Sequence, residues 1–147
     1  MSRGIFVASF IWYGYNKCIN YISSKAIIDK SLTMGENNVI LENTVIEPFV
    51  KLGNNNIIWS SCNICHNVKI QSHCFIAAQS LVGGFSNVKD NCFLGFNSTV
   101  FQNIILEKET LVGAKSLILK NTEEYGKYLG SPAKHVGTNK EHGIKIK

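Results

Sequence analysis

His66 is the residue whose type and setting best suit chemistry. It closes the segment Trp59-Ser-Ser-Cys-Asn-Ile-Cys-His66 and is followed by Asn67. Histidine titrates near neutral pH, so a positioned imidazole can take a proton from an attacking hydroxyl or amine. Two other chemistries compete for this segment. Cys62-Asn-Ile-Cys65-His66 reads as Cys-x-x-Cys-His, the spacing of covalent haem attachment. Cys62, Cys65, His66, His73 and Cys74 also supply zinc-ligand types. No Walker-type loop, GxGxxG fingerprint, Gly-x-Ser-x-Gly elbow or paired-carboxylate constellation is present. His135 and His142 fall in the tail and carry no argument.

The elements that position His66 follow from a repeat of six. Stepping from Ile28 through Met34, Ile40, Ile46 and onward to Ile118, all sixteen positions are aliphatic or Met. Four residues after each sits a mostly small or modest side chain, such as Thr44, Cys62, Ser80 or Ser98. A period of six is neither the 3.6 of a helix nor the 2 of a simple strand. It fits a chain that runs one short strand, turns and repeats. Three such sides close a triangular coil of 18 residues, with the aliphatic pointing inward and the small residue at a corner. The repeat makes about 5.3 coils, a prism roughly 25 Å long at strand spacing. The fold class is therefore all-β, a parallel β-helix over residues 28–123. An N-terminal arm (1–27) precedes it and a C-terminal segment (124–147) follows.

Composition agrees. The chain has 147 residues, 45% hydrophobic and 17% charged, which is one ordinary domain rather than a disordered chain. No apolar run reaches the ~20 residues of a membrane helix, so no membrane insertion is expected. Net charge is +5 from dispersed lysines and one arginine, Arg3, which does not read as a nucleic-acid stripe. It would suit a phosphate-bearing small molecule. Five cysteines, an odd number, read as reduced thiols in a cytoplasmic protein. Proline is scarce, at two, while there are 12 glycines and 16 asparagines. Those two residue types tolerate positive φ and are expected at the turns, with Gly35 and Gly53 as corner residues.

From Ile28 to about Val136 the sequence resembles the hexapeptide-repeat acyltransferases, whose fold is a left-handed parallel β-helix. The closing Tyr128-Leu-Gly-Ser-Pro-Ala-Lys134 is similar to the Gly-x-Pro-Ala-Lys element after the last coil of acetyl-CoA-dependent members. The Trp59–Asn67 segment, Leu81-Val-Gly-Gly84 and Leu94-Gly-Phe-Asn-Ser-Thr-Val100 resemble bacterial sugar O-/N-acetyltransferases of the sialic acid O-acetyltransferase type. The resemblance implies acetyl-CoA as co-substrate and a sugar or nucleotide-sugar acceptor in surface polysaccharide synthesis. It also implies a homotrimer with sites between subunits and a catalytic base at His66. Asn67 stands beside it where some relatives carry an acidic residue.

Residues 18 apart stack in columns, which sharpens these expectations. Pro48, His66, Gly84 and Gln102 share one column, and Gly84, with Gly83 next to it, is expected to leave room for a thioester carbonyl. Leu41, Trp59, Ala77, Gly95 and Gly113 share another, whose side chains shrink to nothing. With Ala114 alongside, that strip suits a long ligand bonded to main chain, which the resemblance identifies as the pantetheine arm. Lys134 is a candidate for the nucleotide end of CoA. Cys62, Cys74 and Cys92 fall in inward slots as small core residues. The register disfavours haem, because attachment would pull a strand out of the prism. It also disfavours zinc, because alternation sends the ligands to opposite sides, and no metal is expected. Residues 1–27 read as a remnant of a nucleotide-sugar-binding domain. The rival expectation is a non-catalytic trimeric scaffold or partner subunit.

Overall fold

The computed structural model describes residues 18–141, 143 and 144. Most of the expected N-terminal arm, residues 1–17, and His142 lie outside the described residues.

Seventeen two-residue strands recur every six residues from Tyr21–Ile22 to Leu117–Ile118. The second residue of each faces the prism interior. Fourteen of the sixteen predicted core positions are buried, and Ile28 and Met34 in the first coil are half-buried. Every pairing within this run is parallel with an offset of 18, as in Phe75↔Phe93, Leu81↔Thr99 and Asn87↔Ile105. Three sheets of eight, six and five strands form the sides. No helix occurs among the described residues. This is the left-handed β-helix, with about six turns rather than 5.3. It begins at Tyr21, one hexad before the predicted start, because Ile22 already occupies the inward phase.

The C-terminal segment does not leave the prism at residue 124. Gly126–Leu129 pairs parallel with Leu111–Val112 and extends the first face. The chain then reverses, and Lys134–Thr138 adds an antiparallel strand. Tyr128 and Ala133 pack on the core.

The turns are made by one residue per hexad. From Asn37 to Lys115, fourteen residues spaced by six have φ between 54° and 63°. Seven are asparagine, whose short side chain best tolerates the left-handed region. The glycines do a different job. Gly35 and Gly53 lie in corner segments as expected, but Asn37 and Asn55 carry the positive φ there. A Cβ on Gly53 would stand 2.6 Å from Ser72 Oγ and 2.8 Å from the Gln71 carbonyl, so the next coil's approach excludes it.

One inward column opens with asparagines. Asn20, Asn38 and Asn56 form a ladder in which each Oδ1 accepts from the next coil. It continues into Cys74, whose N–H donates to Asn56 Oδ1 at 2.9 Å. Cys62, Cys74 and Cys92 are buried, and each Sγ lies 3.0–3.2 Å from a carbonyl oxygen one coil on. Burial pushes the Cys62 thiol up to about 11 and raises Cys92 as well. Near pH 8 a thiol reagent should therefore modify exposed Cys18 first and half-buried Cys65 slowly. Cys62, Cys74 and Cys92 should react only in denaturant, as read by mass spectrometry of labelled peptides. The same burial makes stability fall as pH rises from about 9, where unfolded thiols ionise, to about 11.

Candidate functional site

The candidate base sits at the corner joining strand Asn63–Ile64 to strand Lys69–Ile70. His66 is exposed at that corner, and Asn67 takes the turn's positive φ of 60°. Asn67 is thus the turn residue of its hexad, as six other asparagines are of theirs. Asn67 Oδ1 lies 3.2 Å from His66 Nδ1. With the proton on Nδ1, donated to that oxygen, Nε2 keeps its lone pair outward. Nε2 has no hydrogen-bond partner among the described residues. Phe85 sets its edge against the imidazole, with ring centroids 5.0 Å apart at 84°. Two contacts thus hold the ring, one polar and one aromatic.

Gly84 is coupled to this arrangement. A Cβ there would lie 2.9 Å from His66 Cε1 and 3.0 Å from Nε2. Its missing side chain is the space into which the imidazole leans. Gly83 has another reason: a Cβ would meet the Gln102 backbone nitrogen at 2.6 Å.

Glu47 was not singled out in the sequence, yet it anchors the corner. Its Oε2 accepts the His66 backbone N–H at 2.8 Å. Burial first, then the Glu47 charge, pushes the neighbouring Cys65 thiol up. The signal was available, since Glu47, Cys65 and Gly83 form the column beside that of His66. Phe49 and Phe85 also went unnoticed. They flank Asn67 in its own column, exposed and at φ of 62° and 60°, where bulky residues are seldom found.

The remaining predicted residues lie elsewhere. Ala77, Gly95, Gly113 and Ala114 belong to the preceding corner of the triangle, across the side containing strands Asn63–Ile64, Leu81–Val82 and Thr99–Val100. A six-residue side spans at most ~20 Å. The strip is also less bare than its side chains imply. A Cβ on Gly95 would meet the Ala114 backbone nitrogen at 2.6 Å, and the Leu129 side chain occupies the space beside Gly113. Ala77 is fully buried. Lys134 is exposed on the last antiparallel strand. Within one chain, then, His66, Asn67, Gly83 and Gly84 come together, while the predicted pantetheine strip occupies a different corner.

A left-handed parallel β-helix with a histidine held at an exposed corner is the class of protein that fold and site define. The chain belongs to the family of the GMPPB C-terminal domain, whose family model matches residues 18–125. No curated protein matches the sequence. Among solved structures, it is similar to PerB from Caulobacter crescentus in complex with CoA and GDP-perosamine. That match has 23% identity and a TM-score of 0.81, covering 82% of this chain and 58% of that one. It is similar to the acetyltransferase domain of PglB from Neisseria gonorrhoeae FA1090 in complex with acetyl coenzyme A, at 18% identity and 0.80, with 82% and 58% covered. It is also similar to AntD, an N-acyltransferase from Bacillus cereus in complex with dTDP and 3-hydroxybutyryl-CoA, at 17% identity and 0.77, with 82% and 81% covered. The chain spans 58% of the length of the first two. At these identities the likeness is one of fold. The sialic acid O-acetyltransferase type expected from the sequence has no counterpart among these three.

Proposed function

We propose that the chain transfers an acetyl group from acetyl-CoA to an amine or hydroxyl of a sugar or nucleotide-linked sugar. One observation carries the reading: His66 offers an unpartnered Nε2 at an exposed corner while Asn67 and Phe85 fix its ring. The solved neighbours support it, since two are described with CoA or acetyl coenzyme A and PerB with GDP-perosamine. In this reading His66 Nε2 accepts the proton of the acceptor nitrogen or oxygen as that atom attacks the thioester carbonyl. The imidazolium then returns a proton to the departing thiolate, so His66 ends the cycle neutral. The Gly83–Gly84 backbone receives the thioester end.

The separation of the two corners supports a further part of the proposal. A pantetheine arm on Ala77, Gly95, Gly113 and Ala114 meets a His66 corner most directly when the two come from adjacent subunits, as in a homotrimer. Lys134 is the proposed contact for the nucleotide end of CoA. A cytoplasmic role in polysaccharide synthesis completes the proposal. No helix among the described residues is long and apolar enough to cross a membrane.

The test is a screen of amino sugars, plain sugars and their nucleotide-linked forms, read by release of the free CoA thiol. No release above background with any acceptor overturns the reading. Asn67→Asp gives a finer check. A carboxylate beside Nδ1 favours the imidazolium, so the acidic limb of the kcat/KM profile should move to higher pH by up to about one unit. An unmoved limb would remove His66 from the rate equation.

A second reading has one observation in its favour. The matching family is that of a C-terminal domain, which in a larger protein can serve as an assembly module. A non-catalytic scaffold or partner subunit follows from that, and calorimetry with acetyl-CoA separates the two, because a scaffold shows no saturable heat.

A further inference from the structure

On the side that follows the His66 corner, the outward column runs Lys51, Lys69, Asn87. Lys51 and Lys69 are register partners, so two ammonium-bearing residues sit directly opposite at strand spacing, about 4.8 Å between backbones. Like charges in that arrangement destabilise a sheet. Neither lysine's ammonium has a hydrogen-bond or ion-pair partner among the described residues, though both backbones are bonded in the sheet. The next coil continues the column with Asn87, whose Oδ1 is buried and without a partner. These three residues, with Gly53, Ser72 and Asp90, line an open concavity of about 520 Å³. Asp90 is fixed there, its Oδ1 accepting the Ser72 N–H at 2.8 Å.

We infer that this concavity binds the phosphate of a nucleotide or phosphorylated sugar. A dianionic phosphate between the two lysines turns their mutual repulsion into a shared attraction and accepts a hydrogen bond from each. The Asp90 carboxylate repels bare anions but accepts hydrogen bonds from hydroxyls, so the site favours a phosphate that carries a polyol. Asn87 offers its amide to the same group. Lys69 lies three residues beyond His66, at most ~11 Å along the chain. A nucleotide-linked sugar held by its diphosphate on the lysines would therefore reach the His66 corner with its sugar. That last placement rests on the transfer reading, whereas the phosphate site itself does not.

Calorimetry at low salt and at 0.15 M salt tests this with inorganic pyrophosphate, GDP, CoA and 3′-dephospho-CoA as probes. The wild type, Lys51→Gln/Lys69→Gln and Lys51→Arg/Lys69→Arg are compared. GDP should bind the wild type saturably, weaken at least tenfold in the glutamine variant and recover in the arginine variant. Pyrophosphate should follow GDP with lower affinity. A tenfold loss confined to CoA, absent with 3′-dephospho-CoA, keeps the phosphate site and assigns it to the donor. Saturable heat from none of the probes, or equal affinities in all three proteins, overturns it. The glutamine variant should melt no lower than wild type, because it removes a repulsive pair. Thiol release measured in parallel keeps the two readings apart: persisting turnover with unchanged phosphate affinity sinks the site and leaves the transferase standing.

Discussion

Replacing His66 with alanine should lower kcat by about 100- to 10,000-fold while leaving the fold and CoA binding intact. The expected size is that of a positioned general base, and the expected selectivity comes from the geometry. The His66 side chain is exposed, and its contacts are one oxygen at 3.2 Å and one ring edge. None of these supports the core. The bonds that hold the corner survive, because Glu47 takes the residue 66 backbone N–H and Asn67 N–H donates to the Pro48 carbonyl. Circular dichroism and melting should match wild type, calorimetry should show the same heat with CoA, and thiol release should fall to background. Undiminished turnover in the alanine variant would leave the corner without a catalytic role.

Asn56→Ala should cost about 3 kcal/mol, with melting lowered by roughly 6–12 °C. Asn56 is fully buried, and its amide serves three groups at once. Nδ2 donates to Asn38 Oδ1 at 3.0 Å and to the Gln71 carbonyl at 2.8 Å, while Oδ1 accepts the Cys74 N–H at 2.9 Å. Alanine leaves the Cys74 N–H and the Gln71 carbonyl inside a coil that water does not enter, each at a cost of about 1–3 kcal/mol. Asn97→Ala is the control. Asn97 is exposed at φ 54°, so alanine there meets the left-handed penalty, about 1–2 kcal/mol, and loses one exposed hydrogen bond to Gln79 at 3.4 Å. A melting loss at position 56 no larger than that at 97 would limit the ladder's contribution to the cost of one turn residue. The measurement is thermal unfolding of the three proteins under one buffer.

The prism was legible because its inward phase is chemically uniform. Ile40, Ile58, Ile76 and Leu94 need no partner to announce their direction. Asparagine abundance was legible as turning, but which residue turns was not. Gly35 and Gly53 looked like the turn-makers, and only the approach of the next coil shows why they are glycine. The interior asparagines were hidden for a related reason. Asn38 and Asn56 are acceptable inside solely because they satisfy each other 18 residues apart, a pairwise property that a column of residue types does not display. His66 and Gly84 were legible as column neighbours, and the structure puts them in contact. The corner of the pantetheine strip was legible as well, since Trp59 and His66 lie seven residues apart, just over one side of an 18-residue coil, although the columns were read only along the axis. Lys51 and Lys69 were hidden by their commonness: lysine on an outer face reads as solvation until register sets two of them opposite one another.

The constant offset of 18 has a consequence for how such a chain can change its length. Removing 18 consecutive residues takes out one coil and leaves every other side chain in its former phase. Removing one residue instead turns each later inward aliphatic toward solvent and each outward lysine toward the axis. Tolerated lengths are therefore quantised, in whole coils through the prism, with finer freedom only where a corner can swell into a loop. Each added coil would also repeat every corner once more, so a site could be duplicated along the axis and its copies left to diverge.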